Sequence, residues 1–295
     1  MDQLLSHLQQ FSLYPNIDTS HATPALIDFL NQYFLTKSLH NADEWIKVFD
    51  TSQIFYVDTV LGLHLDSESF EATTRAIVAS WGVNAKSYPL RIIGDMDSAV
   101  VCFEDTPTMF GSELRGIAAL NMEDGKVVRQ VDYWDGRRTP LAETRTTDSR
   151  YLTDLGESAI NRAPNSTLQG IVDGLNKALS TGNSSAAAAL FDVDAVWEDR
   201  TTRTLIDGRS TIGRYLARAS SSLPYGADVT VRHVVGSAQG GGYEWTGRPD
   251  AAGRHGMTAL KLNDKRLITW MSSWWDASYA SDDTMTALVV LAIEP

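Results

Sequence analysis

The sequence predicts an α+β protein built from two tandem copies of one domain. Three observations carry this. A chain of 295 residues is long enough for two domains of ordinary size. Short landmarks recur in the same order at nearly one spacing. Each half also carries the same run of patterns: helix, helix, strand, helix, then four strands. That run is one of helices laid on one side of a mostly antiparallel sheet.

The repeat is explicit. Phe55-Tyr56-Val57-Asp58 matches Val196-Trp197-Glu198-Asp199, and 199 − 58 = 141. Tyr133-Trp134-Asp135 matches Trp274-Trp275-Asp276, and 276 − 135 is again 141. Between them Arg115-Gly116-Ile117-Ala118-Ala119-Leu120 matches His255-Gly256-Met257-Thr258-Ala259-Leu260 at an offset of 140. A tandem duplication is the simplest account.

In the first copy, Leu26, Ile27, Leu30, Tyr33 and Phe34 fall at helical spacing over 24–39. Thr23 suits the N-cap, and Pro24 the first helical position. Asn41-Ala42-Asp43-Glu44 starts a second helix to about Phe49. A strand is expected over 53–60, a helix over 67–81, and strands over 88–94, 98–104, 113–122 and 127–134. Asp124-Gly125 is a hairpin signal between the last two. The second copy repeats the order, with helices over 167–179, 184–191 and 209–221 and strands over 195–200, 228–235, 242–246, 255–262 and 267–275. The domains are therefore read as 20–136 and 165–280. The polar stretch 137–164 is a linker, with a short helix around 152–161, and 281–295 is a C-terminal tail.

The net charge of −12 disfavours nucleic acid and anionic membrane surfaces as partners. The single cysteine, Cys102, lies in an apolar run and reads as core, so neither an internal disulfide nor a cysteine metal framework is expected. The first residues lack the basic region and cleavage site of a signal peptide, and the apolar run 287–293 is too short to span a bilayer. A cytoplasmic protein is expected. The phosphate-binding glycine loops and the Gly-x-Ser-x-Gly elbow are missing from the sequence, so the expected chemistry uses no cofactor.

The element order, with a strand ending in aromatic-x-Asp and a last strand ending in Tyr-Trp-Asp, resembles the SnoaL-like (nuclear transport factor 2-like) family, which is grouped with ketosteroid isomerase, limonene epoxide hydrolase and scytalone dehydratase. The resemblance covers most of each half. It implies two cone-shaped domains, each with three helices on a curved sheet and a small-molecule pocket at the mouth. Because relatives dimerise through the convex sheet face, it also implies an intramolecular pseudo-dimer, with Tyr133 and Trp274 at the join, compatible with a further homo-oligomer. The activities implied are isomerisation, dehydration, cyclisation or epoxide opening on a hydrophobic polyketide or terpenoid intermediate. Members that only bind or assemble leave a non-catalytic reading open.

Alternation along the strand puts Tyr56 and Asp58 on one face. The isomerase-like relatives carry their general base at the position of Asp58, and Asp199 is its counterpart. Asp132, sharing a face with Gln130 and Trp134, matches an inward acid of the epoxide-hydrolase-like relatives. Asp58 and Asp132 together would be a carboxylate pair whose pKa values are pushed apart. The second copy has Ser273 in place of Asp132, so the first copy is expected to be the more catalytic. His255 is the dehydratase-like candidate for proton transfer. His64, at the mouth, and Arg115, the counterpart of His255, are candidate substrate contacts. Tyr56, Trp134, Trp197 and Trp275 would line a pocket for a flat apolar ligand.

Overall fold

The computed structural model describes residues 16–138, 152–248 and 253–294. The N-terminal segment read for a leader, and the part of the linker over 139–151, lie outside the described residues. Two compact units divide after Asp132, with 138–159 in the first and Tyr133–Arg137 in the second. Each is α+β around a curved, mixed sheet, as the sequence predicts.

The first unit runs β1 (Asp18–Ala22), α1 (Pro24–Ser38), α2 (Ala42–Ile46), β2 (Phe55–Asp58), β3 (Leu63–Leu65), α3 (Phe70–Ser80), β4 (Ser87–Gly94), β5 (Ser98–Asp105), α4 (Pro107–Phe110), β6 (Leu114–Glu123) and β7 (Lys126–Trp134). The sheet order is β1-β4-β5-β6-β7-β2-β3. Pro24 opens α1 as expected, but the Thr23 side chain makes no cap bond. Asn41 does cap α2, its Oδ1 accepting from Glu44 N at 3.1 Å. The β6–β7 turn places Asp124 at φ 49° and Gly125 at φ 76°. Both central residues of a type I′ hairpin need positive φ, which is why Asp-Gly is a strong signal there.

The second unit runs α5 (Ser166–Ser180), α6 (Ser184–Ala188), β8 (Phe191–Asp199), β9 (Thr204–Asp207), α7 (Arg209–Ala219), β10 (Thr230–Ser237), β11 (Gly240–Thr246), β12 (His255–Leu262), β13 (Ile268–Trp275) and α8 (Asp282–Leu291), with sheet order β10-β11-β12-β13-β8-β9. Asn183 repeats the cap of Asn41, accepting from Ala186 N. Helix α5 begins 166 − 24 = 142 residues after α1, one more than the strand offset.

Further details depart from the sequence reading, the one-turn helix α4 (Pro107–Phe110) among them, so the first unit has four α-helices among its described residues and not three. β1, β3 and β9 are short strands that it did not expect. The helix expected around 152–161 is a single 3-10 turn, Glu157–Ala159, whose neighbour Leu155 is held by fully buried Arg129 through its backbone carbonyl at 2.8 Å. The strand expected from 195 starts at Phe191. The C-terminal tail forms α8, and its Met285 and Leu288 enter the second core. No helix among the described residues is long and apolar enough to cross a membrane.

The Arg115/His255 repeat has a packing cause. Gly116 pairs with Phe103 across the β5–β6 ladder, and Gly256 pairs with Trp245 across β11–β12. A Cβ on Gly116 would meet the Phe103 ring at 2.6 Å, and one on Gly256 would strike Trp245. The glycine lets a cross-strand aromatic lie flat over the sheet. Gly256→Ala is therefore expected to lower unfolding free energy by about 1–3 kcal/mol through overpacking. Gly170→Ala, on an exposed face of α5 with open space around it, should raise it by about 0.5–1 kcal/mol. Urea unfolding of the two variants checks both signs; equal effects would refute the packing account.

Candidate functional site

The concave face of the first sheet meets α1. Tyr33 and Lys37 are four residues apart and so share one helix face. Val101 and Phe103 of β5, Ala118 and Leu120 of β6, and Gln130 and Asp132 of β7 alternate onto the facing side of the sheet. With Phe34 these residues line a narrow pocket. Its free interior is enough for roughly one ordered water.

Its polar wall belongs to a connected chain that extends to Tyr56, which bonds to Asp132 but, against expectation, does not itself line the cavity. Tyr33 Oη donates to Gln130 Oε1 at 3.1 Å. Gln130 Nε2 donates to Asp132 Oδ1 at 2.9 Å. Tyr56 Oη donates to Asp132 Oδ2 at 2.7 Å. Asp132 is 6% exposed, and burial pushes its pKa from 3.8 to about 6, against the two hydrogen bonds and the charge of Lys37. Burial raises Tyr33 and Tyr56 well above their ordinary range, so both remain donors. Lys37 Nζ lies 3.1 and 3.2 Å from the two carboxylate oxygens of buried Asp105. It also sits 5.3 Å from the Phe103 ring centre and 5.7 Å from that of Trp45.

Asp58 is the register partner of Asp132 in the parallel β2–β7 ladder. Its carboxylate nevertheless does not line the cavity. Oδ1 accepts from Val60 N and Leu61 N, both at 2.9 Å. The turn after β2 leaves two backbone N–H groups free, and a strand-ending Asp satisfies them. The expected Asp58–Asp132 pair is thus not assembled in the cavity, and the two-carboxylate epoxide-opening arrangement goes with it. His64 pairs with Val57 and packs against Phe55 in a tilted arrangement, ring centres 4.3 Å apart, on the sheet face away from Tyr56. Arg115 is exposed and paired with Glu104 and Glu113. Trp134 is buried at the end of β7. None of the three lines the cavity.

In the second unit Asp199 is 1% exposed and saturated. Its Oδ1 accepts from Thr201 N and Thr202 N, as Asp58 does two and three residues on. Its Oδ2 accepts from Tyr225 Oη at 2.7 Å and Trp275 Nε1 at 3.2 Å. Burial still raises its pKa. Trp197 and Trp275 fill the core with Trp245, Tyr215 and Tyr225. His255 is half-buried on β12, its pKa pushed down to about 4 by burial and then by Arg232 and Arg254, so it is neutral at pH 7.

The structural register defines the equivalences. Thr59 N bonds to the Asp132 carbonyl as Arg200 N bonds to that of Ser273, and 273 − 132 = 141. At the helix offset of 142, Tyr33 becomes Leu175 and Lys37 becomes Leu179. At 141, Tyr56 becomes Trp197 and Gln130 becomes Met271. All four replacements are buried. The first unit keeps a polar cavity where the second is packed with apolar side chains. Tyr33, Lys37, Asp105 and Gln130 were not singled out as site residues from the sequence. The signal for Lys37 was a lysine at i+4 from Tyr33 on an otherwise apolar helix face.

No family model matches the chain, and no curated protein is significantly similar to it. Solved structures similar to part of it include a steroid delta-isomerase from Pseudomonas aeruginosa, at 12% identity over 44% of this chain and 90% of that one, with a TM-score of 0.34. A SnoaL-like protein of unknown function from Burkholderia thailandensis matches at 9% identity over 39% and 98%, with a TM-score of 0.33. An NTF2-like protein of unknown function from Cytophaga hutchinsonii matches at 12% over 37% and 89%, with a TM-score of 0.31. The fold assignment stands on the topology above.

Two predictions follow from the acids. Between pH 3.8 and about 6 the folded state holds the Asp132 proton that the unfolded chain releases. Folded protein then binds more protons, so this group lowers stability as pH rises through that window. Asp132→Asn lacks that slope. Its stability relative to wild type should improve by on the order of 2–3 kcal/mol from pH 3.5 to 7; a pH-independent difference in urea unfolding would refute the raised pKa. Asp199→Ala strands a phenol, an indole and two backbone N–H groups, and should cost about 3–5 kcal/mol. A loss within the range of an ordinary surface change would show that the four bonds are not formed.

Proposed function

We propose that the first domain is a cofactor-independent acid–base catalyst acting on a small hydrophobic molecule, with Asp132 as the proton-transfer group. The carrying observation is a buried carboxyl facing a cavity of mixed polar and apolar lining, where burial pushes its pKa up to about 6. Such a group is both present as carboxylate and able to return a proton close to neutral pH. Tyr56 and Gln130 fix its two oxygens, and Phe34, Phe103 and Leu120 supply apolar walls. In one cycle Asp132 takes a proton from the substrate and gives it back at another atom, which suits isomerisation, dehydration or cyclisation. A polyketide or terpenoid intermediate is the proposed substrate class. Its entry requires the lining side chains to move apart, since the pocket as it stands holds about one water.

A second reading has its own observation. Both oxygens of Asp132 are already hydrogen-bonded, and the cavity is small. A satisfied buried network of that kind also serves a non-catalytic binding or packing role.

The test uses extract from a host lacking this gene as the source of the accumulated intermediate. Wild type should convert it, and folded Asp132→Asn should lose about 10²–10⁴-fold in rate. Asp58→Asn, whose amide oxygen still caps Val60 and Leu61, should turn over at the wild-type rate. Normal turnover by Asp132→Asn sinks the assignment. Binding without conversion by wild type supports the second reading instead.

A further inference from the structure

Burying an ion pair among aromatic rings is a costly way to fill a core, because two charges must leave water. Lys37 and Asp105 do this at 10% and 3% side-chain exposure. The duplicated domain is an internal control for whether the fold needs them. Lys37 corresponds to Leu179. For Asp105, the paired positions Phe103–Gly116 and Trp245–Gly256 set the register, and 245 − 103 = 142, which brings Asp105 to Gly247. Asp132 corresponds to Ser273. The second domain therefore lacks the cation, the anion and the acid together, while the order of its six strands matches that of β4-β5-β6-β7-β2-β3 and the strand-ending Asp cap is present. The ion pair travels with the acid and not with the architecture.

We propose that Lys37 is a positioning residue for Asp132: a counter-charge facing the acid across the cavity, clamped in place by Asp105. This deepens the acid–base reading and rests on it for its purpose, but the electrostatic link is independent of any substrate. Lys37 and Asp132 line the same cavity, and Asp105 grips the ammonium through both oxygens. Other groups facing Asp132 are Tyr33 on α1, Tyr56 on β2 with Asp58 further along the same face, and Gln130 on β7. β6 contributes Ala118 and Leu120, and α3 places Phe70 near Tyr56. Among the described cavity-lining residues Lys37 is the cation. Its attraction draws protons off Asp132, and the repulsion from Asp105 opposes it more weakly.

The two halves of one ion pair should then move Asp132 in opposite directions. Lys37→Leu, the residue of the second domain, should shift its titration midpoint up by about 1 pH unit, the low end for loss of a neighbouring opposite charge. The direction holds even where Asp105 takes up a proton, since the lysine effect is the larger. Asp105→Asn should shift the midpoint down. The double variant should lie near wild type, slightly raised. The measurement is carbon NMR of the Asp carboxyl signals against pH, with Asp132 assigned as the signal missing from Asp132→Asn. A merely structural pair would lower the unfolding temperature in both single variants without moving the midpoint, and that result overturns the proposal. Should Lys37→Leu fail to fold around a lone Asp105, the Asp105→Asn single variant and the double variant still decide it. Opposite shifts together with full turnover by Asp132→Asn would leave this inference standing and remove only the acid–base function.

Discussion

Each domain is closed by a parallel pairing onto its last strand, and the placement of Asp58, Asp132 and Asp199 depends on it. The strand that follows the two helices lies beside the last strand of the sheet, β2 on β7 and β8 on β13. Chain segments far apart in sequence are joined there, and the helices are carried over the sheet by the same closure. At the end of the join a backbone N–H bonds to the carbonyl of the residue opposite the Asp. The chain must then turn sharply away. That turn exposes two N–H groups, and the strand-ending Asp accepts both in each domain. Leaving such donors unpaired in a half-buried turn would cost about 1–3 kcal/mol apiece. This requirement explains the Asp of the repeated aromatic-x-Asp motif.

Closure of the cone also decides what can happen inside it. The residue opposite the capping Asp points at the helices, and here the two domains part company. Asp132 in the first is met by Tyr56, Gln130 and the charge of Lys37. Ser273 in the second forms a hydroxyl pair with Thr258 at 3.0 Å, under an interior of Trp and Tyr. Filling the cone with indoles gains apolar burial and removes the space a ligand would use. A duplicated chain permits this division, since one copy can be optimised for packing while the other keeps a buried acid that weakens its own domain at neutral pH.

The legible part of the fold was the part written in local chemistry. Apolar spacing in α1, the Asn41 and Asn183 caps and the Asp124-Gly125 turn each act within a few residues, and the repeat offset exposed the duplication without any structure. The short strands β1, β3 and β9 were missed because edge strands draw their order from a neighbour's ladder rather than from their own composition. Asp58 illustrates a different failure. Alternation correctly placed it on the face of Tyr56, but a period of two cannot say whether a carboxylate reaches into the cone or folds back onto its own turn. Lys37 could be seen on an apolar helix face, yet its partner Asp105 lies 68 residues away, and nothing local links them.

The catalytic and packing readings of Asp132 differ in what they ask of the same network. A packing role is served best when the acid is permanently neutral or replaced, as Ser273 shows the fold tolerates. An apolar or hydroxyl substitute would relieve the desolvation penalty at once. A carboxyl there, with the hydrogen bonds from Tyr56 and Gln130 and then the charge of Lys37 holding its pKa down to about 6 against burial, keeps both protonation states accessible near neutral pH. Stability gains nothing from that accessibility. A group that exchanges protons with a bound molecule requires it, and this asymmetry, more than the fold, favours chemistry over packing in the first domain.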